Sequence, residues 1–328
     1  MKKNILVLFA ALAALLCSCG RGSTKLLPSV SGKAGEVLVV MDTYHWENSL
    51  GGILRDTLTQ DCAFLPQKEP LYNLVHVTPS NFTQMFQIHR NIILFNVNSA
   101  VAAPGVVYKY NKWAQPQIVI TVNASCEEDA FALLKDNLHD ISNTLEQTER
   151  RRVIANTTNY QEKSLAKAAE EFTQGGKMVF PSGYSLKKRT EDFLWISYET
   201  TYVQQGIFIY KSPAQGKASE LTQKALVARR NAFLKDNVPG MFDGSYMTTS
   251  AILAPQVKYV NYNGSKFAEL RGFWDVEGDF MGGPFVSHTL YSPDGSTLYT
   301  LEAYVYAPKY DKRLYLRQVE SLLWGFSF

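Results

Sequence analysis

The sequence predicts an α+β protein of two subdomains, the second largely antiparallel sheet with packed helices. Three observations predict it. Between residues 36 and 150 short apolar runs alternate with stretches of helical spacing. Beyond Gly175-Gly176 the hydrophobic period turns largely to two, and turn pairs such as Asn263-Gly264 recur between the apolar runs. The 328 residues, 46% hydrophobic and 19% charged, suffice for two cores and exclude a disordered, collagen-like or low-complexity chain.

At the amino terminus Lys2 and Lys3 precede an apolar run from Ile5 to Leu16. That run is well short of the roughly 20 residues that span a bilayer as a helix, so residues 1–18 read as a signal peptide. Leu16-Cys17-Ser18-Cys19-Gly20 resembles the bacterial lipoprotein box, with an aliphatic residue three before Cys19 and small residues on both sides of it. The resemblance implies lipidation at Cys19, and several acyl chains, palmitate among them, anchor more durably than one. Residues 19–34, rich in Gly, Ser and Pro, read as a flexible tether. No Asp follows Cys19, which by analogy with lipoprotein sorting implies the outer membrane, periplasmic face. Removing residues 1–18 takes the net charge from +3 to +1, too little for a nucleic-acid footprint.

The N-terminal α/β-type subdomain spans 35–175 and ends in long helices. Its strands fall at 36–42, 71–78, 92–97, 106–110 and 117–122, with helices at 46–60 and from Ser80 or Asn81 to Arg90, where Phe82, Met85, Phe86 and His89 share a stripe. Phe131, Leu134, Leu138, Ile141 and Leu145 demand a helix over about 127–150, and the pattern resumes at Tyr160 until Gly175-Gly176 stops it. The C-terminal α+β subdomain, 176–328, carries strands at 178–180, 184–188, 193–199, 206–211, 246–253, 257–262, 267–277, 285–292 and 297–306. Two helices complete it. One over 219–237 presents Leu221, Ala225, Ala228, Ala232 and Phe233; the other runs from Tyr310 to about Leu323.

Six stretches taken in order resemble one family of Bacteroidetes lipoproteins, catalogued as domain of unknown function family 4837. They are residues 35–42 (GEVLVVMD), 65–70 (LPQKEP), 89–92 (HRNI), 245–249 (SYMTT), 279–287 (DFMGGPFVS) and 306–308 (YAP). The resemblance covers nearly the whole mature chain and implies a cell-envelope lipoprotein; it carries no catalytic residues.

The densest polar cluster lies between residues 271 and 288. As a strand, it places Arg271, Asp275, Glu277 and Asp279 on one face. With Gly282-Gly283 as a two-residue turn, Glu277 falls opposite His288 and Asp279 opposite Val286. A carboxylate beside an imidazole suits ligand binding or acid/base work; a solvated face with one cross-strand ion pair is the plainer reading. Cys62 and Cys126 remain for a disulfide in an oxidising compartment, two separate thiols being the alternative. Asp42, His45 and Glu47 follow the first strand, where Asp42 or Thr43 reads as a helix cap. Lys309, Arg313 and Arg317 align as a basic stripe, solvated or facing lipid phosphates, and Arg150-Arg151-Arg152 reads as a helix-surface run. No zinc spacing, P-loop, nucleophile elbow or dinucleotide fingerprint implies a metal or a cofactor. The expected function is a non-enzymatic, lipid-anchored periplasmic binding or scaffold module for a protein or glycan. The alternative is a carboxylate- and His-dependent hydrolase of an envelope polymer.

Overall fold

Glu36-Val37-Leu38-Val39-Val40 has no polar side, and a strand apolar on both sides belongs in the middle of a sheet covered on both faces. The computed structural model, which describes residues 26–328, puts it there. Residues 1–25, with the signal peptide, the Cys19 box and the start of the tether, lie outside the described residues. Strand β1 (Glu36–Val40) is flanked by β2 (Asn73–Val77) and β3 (Asn91–Val97), and β5 (Ile118–Ala124) and β4 (Gly105–Tyr110) complete the sheet in the order β2-β1-β3-β5-β4. All neighbours are parallel except β4 and β5.

Helices α1 (Thr43–Glu47), α2 (Ser49–Leu58) and α4 (Glu127–Asn159) lie at one face, where Leu50, Leu54, Leu134 and Ile141 pack on Val37, Val39 and Ile120. The opposite face carries Leu38, Val40, Ile92 and Val119 beneath Phe82, Phe86 and Trp113. The helix expected over 80–90 is reduced to a turn at Pro79–Asn81 and the four-residue α3 (Gln84–Gln87), and Met85 is exposed. This short crossover needs only Phe82 and Phe86 to cover the sheet. The end of the expected tether is also held. Ser31 N donates to Ile88 O at 2.8 Å, Arg90 N to Ser31 O at 3.0 Å and Gln115 N to Pro28 O at 2.9 Å.

The second half is an eight-stranded antiparallel sheet. Its strands are β6 (Ser185–Arg189), β7 (Phe193–Glu199), β8 (Gln204–Pro213), β9 (Tyr246–Thr249), β10 (Gln256–Tyr262), β11 (Ser265–Glu277), β12 (Gly282–Tyr291) and β13 (Thr297–Tyr306). Their order is β10-β11-β12-β13-β8-β7-β6, with β9 also on β11. On one face α5 (Lys163–Thr173) and α7 (Arg313–Trp324) bury Ala169, Phe172, Leu316, Val319 and Leu322 against Ile207, Val286 and Leu301. On the other, α6 (Gln223–Asn237) lays Leu226 and Leu234 on Phe208, Leu270, Phe285 and Tyr304. The chain is thus an α+β protein with one mixed and one antiparallel sheet. Helix α5, grouped by sequence with the first half, shares the core of the second, although Gln174 and Gly175 do stop it with positive φ.

Two helices depart from their apolar patterns. α4 runs through to Asn159, because Thr148, Glu149, Arg152 and Thr157 continue its buried stripe after Leu145. α6 buries Leu226, Arg230, Leu234 and Asn237, whereas Ala228 and Ala232 face outward. Helix α7 joins the halves. Its apolar side covers the antiparallel sheet, while Arg317 reaches Glu146 of α4 at 3.0 Å and Glu320 takes Arg150 of α4 at 3.3 Å.

Candidate functional site

The register of the β11–β12 hairpin decides which candidate residues meet. Glu269 lies opposite His288, Arg271 opposite Val286 and Asp275 opposite Gly282, so Glu277 does not face His288 and Asp279 does not face Val286. Gly282 and Gly283 are strand residues, and the reversal falls ahead of them at Gly278, whose φ is +80°. The reason is a close approach: a Cβ on Gly283 would stand 2.1 Å from Val305 O, the acceptor of the Trp274 indole N–H at 3.2 Å. Strand alternation held as far as Asp275, with Trp274 and Val276 buried on the opposite side from Arg271 and Asp275. The five candidates nevertheless separate. Arg271 and His288 lie near the junction of the halves, Asp275 and Asp279 line a groove at the other end of the hairpin, and Glu277 is exposed.

At the junction, Arg271 Nε donates to Glu269 at 2.8 Å, its Nη2 donates to Glu320, and His288 Nε2 lies 3.3 Å from Glu269. Burial pushes the Glu269 carboxyl up, but Arg271 and the His288 hydrogen bond outweigh it and hold the group well below the usual carboxylate range. Burial pulls His288 down, against the Glu269 contact. This is an ionised carboxylate beside a neutral imidazole, not an acid poised near neutrality. Both groups have depressed pKa values when folded, so the unfolded chain takes protons first as pH falls. Stability is therefore complete above the ordinary His value of about 6.5 and declines as pH drops below it, the carboxylate adding its loss at lower pH. Urea midpoints measured from pH 8 to pH 4 should show that decline, and His288→Gln should flatten the part between pH 7 and pH 5. A parallel profile in the variant would remove His288 from the account.

Glu269, Arg271 and Glu320 border a cavity of about 410 Å³ that opens between the segment around Cys62 and Tyr72, α4, α7 and β11, whereas His288 lines a separate cavity of about 350 Å³ with Arg151, Phe267 and Trp324. Cys62 is half-buried, and burial pushes its thiol up, away from thiolate chemistry. Cys126, exposed, directly precedes α4, and Cys62 and Cys126 are both free thiols. Arg313 and Arg317 are not a lipid-facing stripe: both are buried, and Lys309, ahead of the helix, sits 4.0 Å over the Tyr202 ring. Of the Arg150-Arg151-Arg152 run only Arg151 points outward, to Tyr110 Oη at 2.9 Å. Arg150 stacks on Trp324 at 3.9 Å, and Arg152 is buried against Glu149. Asp42 caps α1 with no side-chain hydrogen bond, and His45 pairs with Glu127 at 3.7 Å. Among the described residues no three His, Cys, Asp or Glu side chains converge as metal ligands, and no helix is long and apolar enough to cross a membrane.

The groove at the other end measures about 490 Å³ and is lined by Leu65, Pro66, Phe273, Met281 and the two carboxylates Asp275 and Asp279. Asp279 receives Phe280 N at 2.6 Å and Met241 N at 3.4 Å, drawing two loops together. Around it Phe280 is fully exposed, Ile252 is 90% exposed, and Met241 and Phe242 are exposed as well.

Residues 162–324 match the family described as Domain of unknown function (DUF4837), and residues 30–158 match Domain of unknown function (DUF8532). Two domains of unknown function cover the chain. The join falls in the link between α4 and α5. The stretches at 35–42, 65–70 and 89–92 therefore lie in the DUF8532 match, and the resemblance to DUF4837 holds for the second half. No curated protein matches the chain. A crystal structure from Bacteroides thetaiotaomicron VPI-5482 is similar at 13% identity and a TM-score of 0.23, over 45% of this chain and 43% of that one. This chain thus spans less than half of that structure's length. The human StarD13 (DLC2) lipid transfer and protein localization domain is similar at 11% identity and a TM-score of 0.23, over 50% of this chain and 95% of that one.

The DUF4837 segment supplies most of the groove, and both segments supply the junction cavity. The sequence places Ile252-Leu253 in a strand over 246–253; they lie in a loop beyond β9, exposed like Met241, Phe242 and Phe280, while Met281 packs on the core. The cavity residues Glu146, Glu269 and Glu320 carried no signal of their own, since each sits among residues of ordinary amphipathic spacing.

Proposed function

We propose that this chain is a lipid-anchored binding module of the cell envelope, held through Cys19 at the periplasmic face of the outer membrane. It docks a partner protein in the groove lined by Leu65, Phe273 and Met281. The observation that carries this reading is the apolar rim: Phe280 and Ile252 line the groove and stand exposed, and the loop joined to it through Met241 N and Asp279 exposes Met241 and Phe242 as well. A sugar site needs convergent hydrogen-bonding groups, and beyond Asp275 and Asp279 the groove is mainly apolar. Methionine at such a rim adapts to an apolar partner segment, and the two carboxylates suit a flanking Lys or Arg. The hydrolase reading loses support because Glu277, Asp279 and His288 share no concavity.

A photo-crosslinking residue placed at position 280 of the lipidated protein in native membranes should trap one discrete protein, while one placed at the exposed Tyr160 should not. Ile252→Asp should weaken that crosslink by tenfold or more with an unchanged melting temperature. Equal crosslinking in the variant, or none at position 280, would overturn the assignment.

A further inference from the structure

One more concavity at the junction, of about 300 Å³, has a neutral lining. It opens where the end of α4 meets α7 and the strands β7 and β8, and Asn156, Thr157, Tyr184, Tyr198, Gln205 and Gln318 border it. None of its lining residues carries a charge. Three of the six form a buried floor, with Thr157 4% exposed, Gln205 6% and Tyr184 8%, while Asn156, Tyr198 and Gln318 are exposed at the rim. Gln205 Nε2 donates to Tyr315 O at 2.8 Å and to Gln318 Oε1 at 3.3 Å, which fixes its amide and leaves Oε1 as an open acceptor. Thr157 Oγ1 and Tyr184 Oη likewise make no hydrogen bond among the described residues. Each of these three oxygens retains accessible surface, unlike the sealed guanidinium nitrogens of Arg313 and Arg317.

Recessed polar groups of this kind stay hydrated until a ligand replaces the water, and the exchange is favourable only when the ligand reproduces the hydrogen bonds. Hydroxyls and carboxamides offer donors and acceptors side by side, as the hydroxyls of a sugar do. An ion finds no counter-charge here, and a purely apolar ligand would strand three recessed oxygens. The rings of Tyr184 and Tyr198, stacked at 5.8 Å with 27° between their planes, add an aromatic wall suited to the C–H face of a pyranose. Burial pushes the Tyr184 phenol up, so it remains an O–H donor. A peptide backbone finds no free sheet edge, since β7 and β8 are interior strands. We propose that this concavity binds a neutral saccharide, with Thr157, Tyr184 and Gln205 at its floor and Asn156, Tyr198 and Gln318 at its rim. The volume is at the small end of the range of about 300–1,000 Å³ typical of such sites, which suits a free sugar or the end of a glycan chain. Asn156 and Thr157 come from the DUF8532 segment and the other four from the DUF4837 segment, so the ligand bridges the two. The site shares no lining residue with the docking groove and is independent of the protein-docking reading.

The test presents the full chain to an array of defined mono- and oligosaccharides, neutral and acidic, beside an array of unrelated peptides. At least one neutral saccharide should bind, and calorimetric titration with that sugar should saturate. Asn156→Ala combined with Gln318→Ala, and separately Tyr198→Ala, should each weaken its affinity tenfold or more. All three positions are exposed, so the melting temperature without sugar should hardly change. Ile252→Asp, at the docking groove, should bind the sugar as the unmodified chain does. If the variants fail to fold, saturation-transfer NMR on the unmodified chain, irradiated at its aromatic resonances, should carry saturation to the C–H protons of the sugar. A monosaccharide that binds as tightly as the oligosaccharide ending in it assigns the ligand to a free sugar, and an oligosaccharide tighter by tenfold or more assigns it to a chain end. No neutral saccharide bound, binding only to acidic sugars or to peptides, an affinity unchanged in both variants, or no saturation transfer overturns the proposal.

Discussion

Glu302→Ala should lower the unfolding free energy by about 3–5 kcal/mol, read from urea denaturation, because it leaves a guanidinium buried without its counter-charge. Arg230 and Glu302 are both 0% exposed. Arg230 Nε meets both carboxylate oxygens at 3.0 Å and Nη2 meets one at 2.8 Å. Its Nη1 donates to Thr249 Oγ1 at 2.9 Å, and the guanidinium lies 3.8 Å over the Phe285 ring. The pair ties α6 to β13 and β9 at once. Replacing both partners by apolar residues, as in Arg230→Met with Glu302→Leu, should recover most of the loss, because the cost lies in the stranded charge more than in the missing attraction. A double variant as unstable as the single one would instead show that the pair's geometry positions α6 in a way packing cannot replace.

The second large effect is expected at Glu149, again about 3–5 kcal/mol for replacement by alanine. Glu149 is 1% exposed and accepts Arg90 Nη2 at 2.6 Å, Asn91 Nδ2 at 2.8 Å and Arg152 Nη1 at 2.9 Å. Arg152 also donates to Arg90 O at 2.6 Å and Pro116 O at 3.0 Å, so one carboxylate organises the contact of α4 with the approaches to β3 and β5. Burial pulls the Arg152 guanidinium down to about 10 even with Glu149 beside it. Without Glu149, two arginines remain in a dry site. Amide exchange in β3 and β5 should accelerate together with the loss of stability, and Glu149→Gln, which keeps an acceptor, should lose less. A change below about 1 kcal/mol would mean that water, not the carboxylate, satisfies these arginines in solution.

These two ion pairs also explain where sequence reading stopped. β7 and β13 coincide with their expected spans, 193–199 and 297–306, because runs rich in β-branched and aromatic residues between turn residues mark a strand whether one side is buried or both, as both are in β13. Of the residues expected to share the apolar face of the helix over 219–237, Leu221 and Phe233 pack on the core while Ala228 and Ala232 are exposed, because the buried stripe of α6 passes through Arg230 and Asn237, which a count of apolar residues scores as solvent-facing. Helix α4 appeared to end near Arg150, because Glu149 and Arg152 take the places of core residues in its last turns. His89, which the sequence puts on a stripe with Phe82 and Phe86, is buried and bonded to Asn91 O at 3.0 Å, and the neighbouring Arg90 pairs with Glu149 at 2.6 Å. The candidate cluster was legible as residues and not as a site. Its partners depend on a register set by Gly283 lying close to Val305 and by the Trp274 indole.

By itself, the sequence determines the α+β class, the antiparallel second half and most strand positions, since hydrophobic period reports which side of each element is dry. Only the tertiary structure decides that Arg271 meets both Glu269 and, from another element, Glu320, and that Asp275 and Asp279 belong to a separate groove. It alone sets Arg313 and Arg317 inward beside Glu146. The physical reason is that burial of an apolar side chain is rewarded by any dry neighbour, whereas a buried charge requires one particular partner, here as far along the chain as Glu146 is from Arg317.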